Sequence, residues 1–363
     1  MIWRVFLHPL AGFPGPKLYA ASYLPFLIQN QLQGTFVKDV LKIHEKYGPI
    51  VRISPDRLSV DGSIGWPDVF ARRPHQAEFD KVPQSYGSSN RVGILSSCRE
   101  DHRRQRRTLA HAFSAAAISD QEGYIKHYVD LLMTKLGEAS EADCPVDITR
   151  WFNYLAFDIV GELAFGEPFQ SLENSDYHPW IAKLFGNLKA IATLLFFNHY
   201  PLLKPLILVF GRKHITNRAE TEELARVKTA RRLALGGDTR KDFFTYILRH
   251  DKDGTGMTEE EKVQNASALL VAGSETTATT LSGLTFHLSC DKEIYDILTE
   301  EIRGAFTTEE EINIKSAAYL QFLHACVEET LRVYPPAGET PPRRSPGDFV
   351  REHYIPKGVS APD

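Results

Sequence analysis

The sequence predicts a single, mainly α-helical domain over residues 1–363 with a small β-sheet toward its N-terminal side, and three observations carry that expectation. From about Glu100 onward, apolar positions recur at helical spacing, broken at Gly166-Glu167-Pro168, at His199 to Pro205, at Gly236-Gly237 and at Asp251 to Gly256. Thr258 and Glu261 form a capping-box pattern ahead of an apolar run, Val263 through Leu284, long enough for about six helical turns. Ile50 to Val60 alternates around Pro55-Asp56 like two short paired strands.

The first thirty residues are rich in proline and glycine, so His8-Pro9 and Pro14-Gly15-Pro16 predict an extended, non-helical entry. A helix is expected from Phe36 to Tyr47, stopped by Gly48-Pro49, and then the strand pair. In the final third the expected helices cover 258–285, Asp291 to Phe306, and 317–334, the last ended by Tyr334-Pro335-Pro336. Loop and strand follow, with Tyr354 to Gly358 as the last patterned piece.

With 42 basic and 46 acidic side chains the net charge is only −4, so no global field would recruit nucleic acid. Cys98, Cys144, Cys290 and Cys326 lie far apart without a C-x-x-C pair, which argues against a structural zinc site or a disulfide framework. No continuous apolar stretch follows Met1, so an intracellular, reduced protein is expected. The most apolar region, Leu188 to Phe210, is split by Asn198, His199, Pro201, Lys204 and Pro205 into pieces too short to cross a bilayer; it reads as buried helices or as a surface that dips into a membrane. Asp251 to Gly256 begins like a calcium loop, but Lys262 stands where a bidentate glutamate is required, so it reads as a linker. The sequon Asn265-Ala266-Ser267 falls inside a helix, where glycosylation is not expected.

The middle of the central helix, Ala272-Gly273-Ser274-Glu275-Thr276-Thr277, places a glycine and three hydroxyls where each weakens the helix. One reading is close helix packing over Gly273, with the hydroxyls bonded one turn back. The other is that Gly273 lets a flat ligand approach while Glu275 and Thr276 hold water and relay protons. Glu329 and Arg332 are spaced E-x-x-R on a helix with an apolar face, as an isolated pair no more than an ordinary exposed ion pair. Pro342-Arg343-Arg344 follows, and Glu100 to Arg107 is a charge run whose plain reading is a basic helix surface.

Taken together and in this order, these motifs resemble those of cytochrome P-450 enzymes, heme-thiolate monooxygenases, and His8 to Pro16 resembles the proline-rich hinge of fungal members. The resemblance implies the cytochrome P-450 fold, with residues 1–30 as the hinge, 258–285 as the oxygen-activating helix and 317–334 as the E-x-x-R helix. It implies that Glu275 and Thr276 deliver protons and that Ala272, Gly273 and Thr277 border the heme. Arg106, His102 (where tryptophan is usual) and Arg343 would seat the heme propionates, Arg344 would be solvated, and Glu329 with Arg332 would lock a buried structural network.

The implied reaction is insertion of one oxygen atom from O2 into a lipophilic small molecule, in fungal secondary metabolism, with electrons from NADPH through NADPH-cytochrome P-450 reductase. The substrate pocket is expected near Phe79 to Ile94 and Leu188 to Phe210. The endoplasmic reticulum membrane is the family's place, with peripheral contact through Leu188 to Phe210. The family's anchor helix would precede Ile2 and its ligating cysteine loop would follow Gly358, so a fold incomplete at the C-terminus and no metal ligand among the present residues are expected. Each of the four cysteines reads as a small buried or half-buried residue. Because thiolate donation drives O–O cleavage in this class, a non-catalytic, heme-free fragment is the alternative.

Overall fold

A computed structural model describes residues 1–71, 73, 76–82, 85, 92–200, 202, 212–237, 240–249 and 256–361. The N-terminal segment departs from expectation. It is not extended but forms three short helices, α1 (Ile2–Phe6), α2 (Lys17–Ala21) and α3 (Leu24–Leu27), followed by a π-helical turn over Ile28–Gln33. Proline explains this. Pro16 caps α2 with φ −62° and Pro25 sits in the first turn of α3, positions where its missing N–H is no loss.

Helix α4 (Phe36–Tyr47) ends at Gly48 as predicted, and β1 (Ile50–Ser54) pairs antiparallel with β2 (Arg57–Val60), Ile50 opposite Val60. Short helix α5 (Gly62–Gly65) and β3 (Asp80–Lys81) precede α6 (Arg99–Ala110), α7 (Ala115–Glu141) and α8 (Ile148–Phe165). Next come α9 (Ser171–Asn174), α10 (Pro179–Asn198), α11 (Arg212–Ala234) and α12 (Phe243–Arg249). The last third holds α13 (Glu259–Cys290), α14 (Lys292–Ala305), α15 (Ile314–Ala317) and α16 (Gln321–Val333). It closes with β4 (Arg343–Arg344), β5 (Asp348–Val350), β6 (His353–Ile355) and β7 (Ser360–Ala361).

The sheet does not belong to the N-terminal side alone. Its order is β1-β2-β7-β4-β3, so strands from both ends of the described chain share it, Arg57 opposite Ser360 and Lys81 opposite Arg343. The expected helix over 317–334 is split, because a turn at Ala318 to Leu320 separates α15 from α16. Helix α13 outruns its predicted end at 285 and continues to Cys290.

α8 and α13 form the axis of the core. α8 is buried over most of its circumference, as expected of a helix apolar nearly all round. Phe157, Val160 and Ala164 of α8 pack in one cluster with Val263, Ala266 and Leu270 of α13, and with Phe243, Phe244 and Ile247 of α12. A buried carboxylate fixes the turn after α8. Asp158 accepts N–H bonds from Phe169 at 3.0 Å, Ser171 at 3.1 Å and Leu172 at 2.8 Å, which satisfies backbone donors that burial would otherwise strand.

Candidate heme and oxygen site

α13 begins as predicted, with Thr258 Oγ1 accepting from Glu261 N at 3.2 Å and Glu261 Oε2 accepting from Thr258 N at 2.8 Å. Within its unusual middle the hydroxyls are bonded one turn back: Ser274 donates to Leu270 O at 2.6 Å, Thr277 to Gly273 O at 2.7 Å, and Thr276 to Ala272 O. Gly273 serves packing. A Cβ built there would lie 3.1 Å from Val160 Cγ2, so the glycine lets α8 close on α13. Ser274 and Ala278 are buried, whereas Ala272, Glu275 and Thr277 are exposed and Thr276 is half-buried. Although Glu275 reaches solvent, the protein around its carboxyl pushes its pKa above the usual glutamate range, and such a group can hold a proton for transfer.

The second half of the site lies where α6 faces β3 and β4. A cavity of about 690 Å3 is lined by Lys81, His102, Arg343 and Arg344, with Val69, Phe70 and Phe79 as apolar wall. Burial and the cations Lys81, Arg106 and Arg343 hold the His102 imidazole down to about 4, and burial with Arg343 holds Lys81 down to about 8. Cations that depress one another's protonation are groups gathered around a place for negative charge. Glu78, Asp80, Glu100 and Arg99 line the same cavity, and Glu78 and Asp80 both pair with Arg99, at 3.1 and 2.8 Å. The Arg343 guanidinium lies 5.4 Å from the Phe70 ring centroid, and Arg344 is exposed, as expected from strand alternation.

His102 and Arg343 line one cavity together with Lys81, which was not predicted, and Arg106 is near enough to bear on the His102 imidazole. No local motif marks Lys81; it arrives only because β3 pairs with β4 in the register Lys81 opposite Arg343. This set of basic donors fits two carboxylates such as heme propionates.

Glu329 and Arg332 form the predicted pair, with Nε–Oε2 2.7 Å and Nη2–Oε1 2.6 Å, and their side chains are 59% and 70% exposed among the described residues. α16 meets α13 at Thr330, the buried residue of α16, whose Cγ2 lies 3.2 Å from a Cβ built on Gly283; Glu329 stands one residue before that contact and Arg332 two after it. One expectation is corrected: Cys98, Cys144 and Cys290 are exposed and only Cys326 is half-buried, all four free. Cys98 donates to Asp101 Oδ2 at 3.1 Å. Among the described residues no cluster of three His, Cys, Asp or Glu side chains could hold a metal ion.

Of the expected substrate pocket, Phe79 lies in a buried cluster, while Val82, Ser85, Leu195 and His199 line a second cavity of about 390 Å3 with Asn30, Glu339 and Arg57. Glu339 accepts from Asn30 Nδ2 at 3.0 Å, and burial pushes its pKa up. From the apolar region Leu188 to Phe210, Phe196 is packed in the core, and residues 201 and 203–211 lie outside the described residues, as do 250–255 of the linker. Among the described residues no helix is long and apolar enough to cross a membrane.

A helical body with a mixed five-stranded sheet and one long central helix is the architecture expected of the cytochrome P-450 class. The sequence model of the cytochrome P-450 family matches residues 14–360, and the chain belongs to that family. It is 38% identical over 98% of its length to the cytochrome P-450 monooxygenase astA of Talaromyces wortmannii, spanning 72% of that protein. It is 41% identical over 99% of its length to the trichothecene C-15 hydroxylase of Fusarium sporotrichioides, spanning 74%, and 36% identical over 99% to the averantin hydroxylase of Aspergillus parasiticus, spanning 72%.

Proposed function

We propose that this chain is a heme-dependent monooxygenase that hydroxylates a lipophilic small molecule of fungal secondary metabolism, taking electrons from NADPH through a reductase. The observation that carries the reading is the cation seat of Lys81, His102, Arg106 and Arg343, which suits the two propionates of the family's cofactor. Bound heme would supply the oxygen-activating centre. The chain's own part is to hold the propionates at the Arg106 and Arg343 guanidiniums, and to offer a proton from the Glu275 carboxyl near the Thr276 hydroxyl. The related hydroxylases named above support the substrate class. Contact with a membrane surface is supported by α1, whose Ile2, Trp3, Phe6 and Leu7 are exposed, and by the family's habit; co-sedimentation with liposomes, lost on replacing Trp3 and Phe6 by Ser, tests it.

A heme-free, non-catalytic role is the second reading. Reduced carbon monoxide difference spectroscopy of the purified chain separates the two. A band at the thiolate-bound position with NADPH-dependent product formation supports the monooxygenase; a chain that takes up no heme overturns it.

A further inference from the structure

Besides His102 and Arg106, α6 carries further polar side chains that join a largely buried network. The Arg104 guanidinium grips the Glu261 carboxylate with both ends, Nη1 on Oε2 at 3.0 Å and Nη2 on Oε1, and Nη1 also reaches Gly256 O at 2.7 Å. Gln105 Nε2 donates to Glu261 Oε1 at 3.0 Å and to Val92 O at 2.7 Å, while its Oε1 accepts from Asn265 Nδ2 at 2.9 Å. Asn265 Oδ1 accepts from Ile94 N at 2.8 Å, and Ile94 O accepts from Lys81 Nζ at 2.7 Å. Gln105 is 0%, Asn265 1% and Glu261 6% exposed, so the middle of the chain is shielded from water, while Arg104 and Lys81 at its ends are half-buried.

We propose that the network of Arg104, Gln105, Glu261 and Asn265 is a positioning device. It fixes α6 and residues 92–94 on the first turns of α13, and so holds His102 and Arg106, together with the tethered Lys81, in one seat with Arg343. None of the four lines either of the cavities described above. They set where the seat lies relative to Glu275 and Thr276 on the same helix α13. The inference rests on the heme reading only for what the seat holds; that the seat is assembled by this network stands or falls without heme.

A network of this kind stabilises any fold, so the test needs a readout that mere stabilisation would not move. The His102 imidazole provides one, because its titration reports how deeply the seat buries it and how near Lys81, Arg106 and Arg343 stand. Proton NMR titration of the heme-free full chain should give a midpoint near 4 for His102. Gln105→Met keeps the volume and removes the bonds to Glu261, Val92 and Asn265; it moves the midpoint upward by about one pH unit or more as the cations separate. Arg104→Lys, at a partly exposed site, keeps the charge but loses the two-pronged grip and shifts the midpoint less, in the same direction. A folded Gln105→Met chain, by circular dichroism, with an unshifted His102 midpoint overturns the proposal. Should that variant fail to fold, Arg104→Lys decides by the same criterion. A wild-type midpoint near 6.5 also overturns it, since the seat would not be assembled. Failure of the wild-type chain to bind heme, with His102 moving as described, defeats the heme reading and leaves the positioning role standing.

Discussion

Replacing Gly273 by valine in the heme-free protein separates the two uses a glycine could have in the central helix. A Cβ at this position meets Val160 Cγ2 at 3.1 Å, and valine adds two methyl groups beyond that contact. Val160 is 9% exposed in the main core cluster, with Phe157 and Ala164 of the same helix beside it, so it has little room to retreat. Overpacking of this kind costs about 1–3 kcal/mol, while leaving glycine for valine inside a helix recovers about 0.4 kcal/mol, so a net loss of about 2 kcal/mol is expected. The measurement is urea unfolding followed by circular dichroism. Val160→Ala in the same chain should relieve the strain, and the double-mutant cycle should show a favourable coupling of about 1 kcal/mol or more. If the glycine instead only made room for a ligand, Gly273→Val would leave the heme-free chain unchanged or slightly more stable, and the two substitutions would be additive. That result would refute the packing argument.

Other perturbations follow from the same coordinates. Arg232 and Asp242 are 0% exposed and joined by Nη2–Oδ1 at 2.7 Å, with Thr245 Oγ1 3.0 Å from the same guanidinium nitrogen, so Asp242→Ala, which strands a buried cation, should cost about 3–5 kcal/mol in urea unfolding. A loss below about 1 kcal/mol would contradict that reading of the pair. Burial raises the pKa of Glu275, so the folded state prefers its protonated form: the associated stability is complete below the ordinary glutamate pKa and is lost as pH rises through the raised value. Glu275→Gln should therefore be the more stable chain at pH 7 and equal to wild type at pH 4, read from urea midpoints across that range. Lys81→Met removes a cation that depresses His102; the His102 midpoint should rise from about 4, and heme, if bound, should be released more readily, by NMR titration and by transfer of heme to apomyoglobin.

Local periodicity made part of this fold legible. Helix α4 and the β1–β2 pair appear where the apolar spacing and Gly48-Pro49 placed them, and the capping box at Thr258 opens α13. Features decided by distant residues were not legible. β7 lies between β2 and β4, a neighbourhood that no window of sequence contains, and Lys81 enters the cation seat only through the equally distant pairing of β3 with β4. The N-terminal error has a different cause: proline was read as a helix breaker, whereas Pro16 and Pro25 stand at helix starts. The E-x-x-R helix was found, but burial of its pair depends on what packs against α16, and a spacing rule carries no information on that.

The charge run Glu100 to Arg107 shows how one stretch of sequence can hold several separate instructions. As a string it is a basic patch, yet its residues go to different partners: Arg99, just before it, binds Glu78 and Asp80; Arg104 binds Glu261; His102 and Arg106 stand at the cation seat. Gln105, the one uncharged member between Arg103 and Arg107, is the most deeply buried and joins α6 to Asn265 of α13. Helical geometry makes this division, since 3.6 residues per turn set 102 and 106 on one face, 105 about 80° round from it and 104 nearly opposite. The glycosylation sequon and the charge run thus have a common explanation. Asn265 is unavailable to a glycan because its amide is already committed, on one side to Gln105 and on the other to Ile94, and through them to the placement of the arginines.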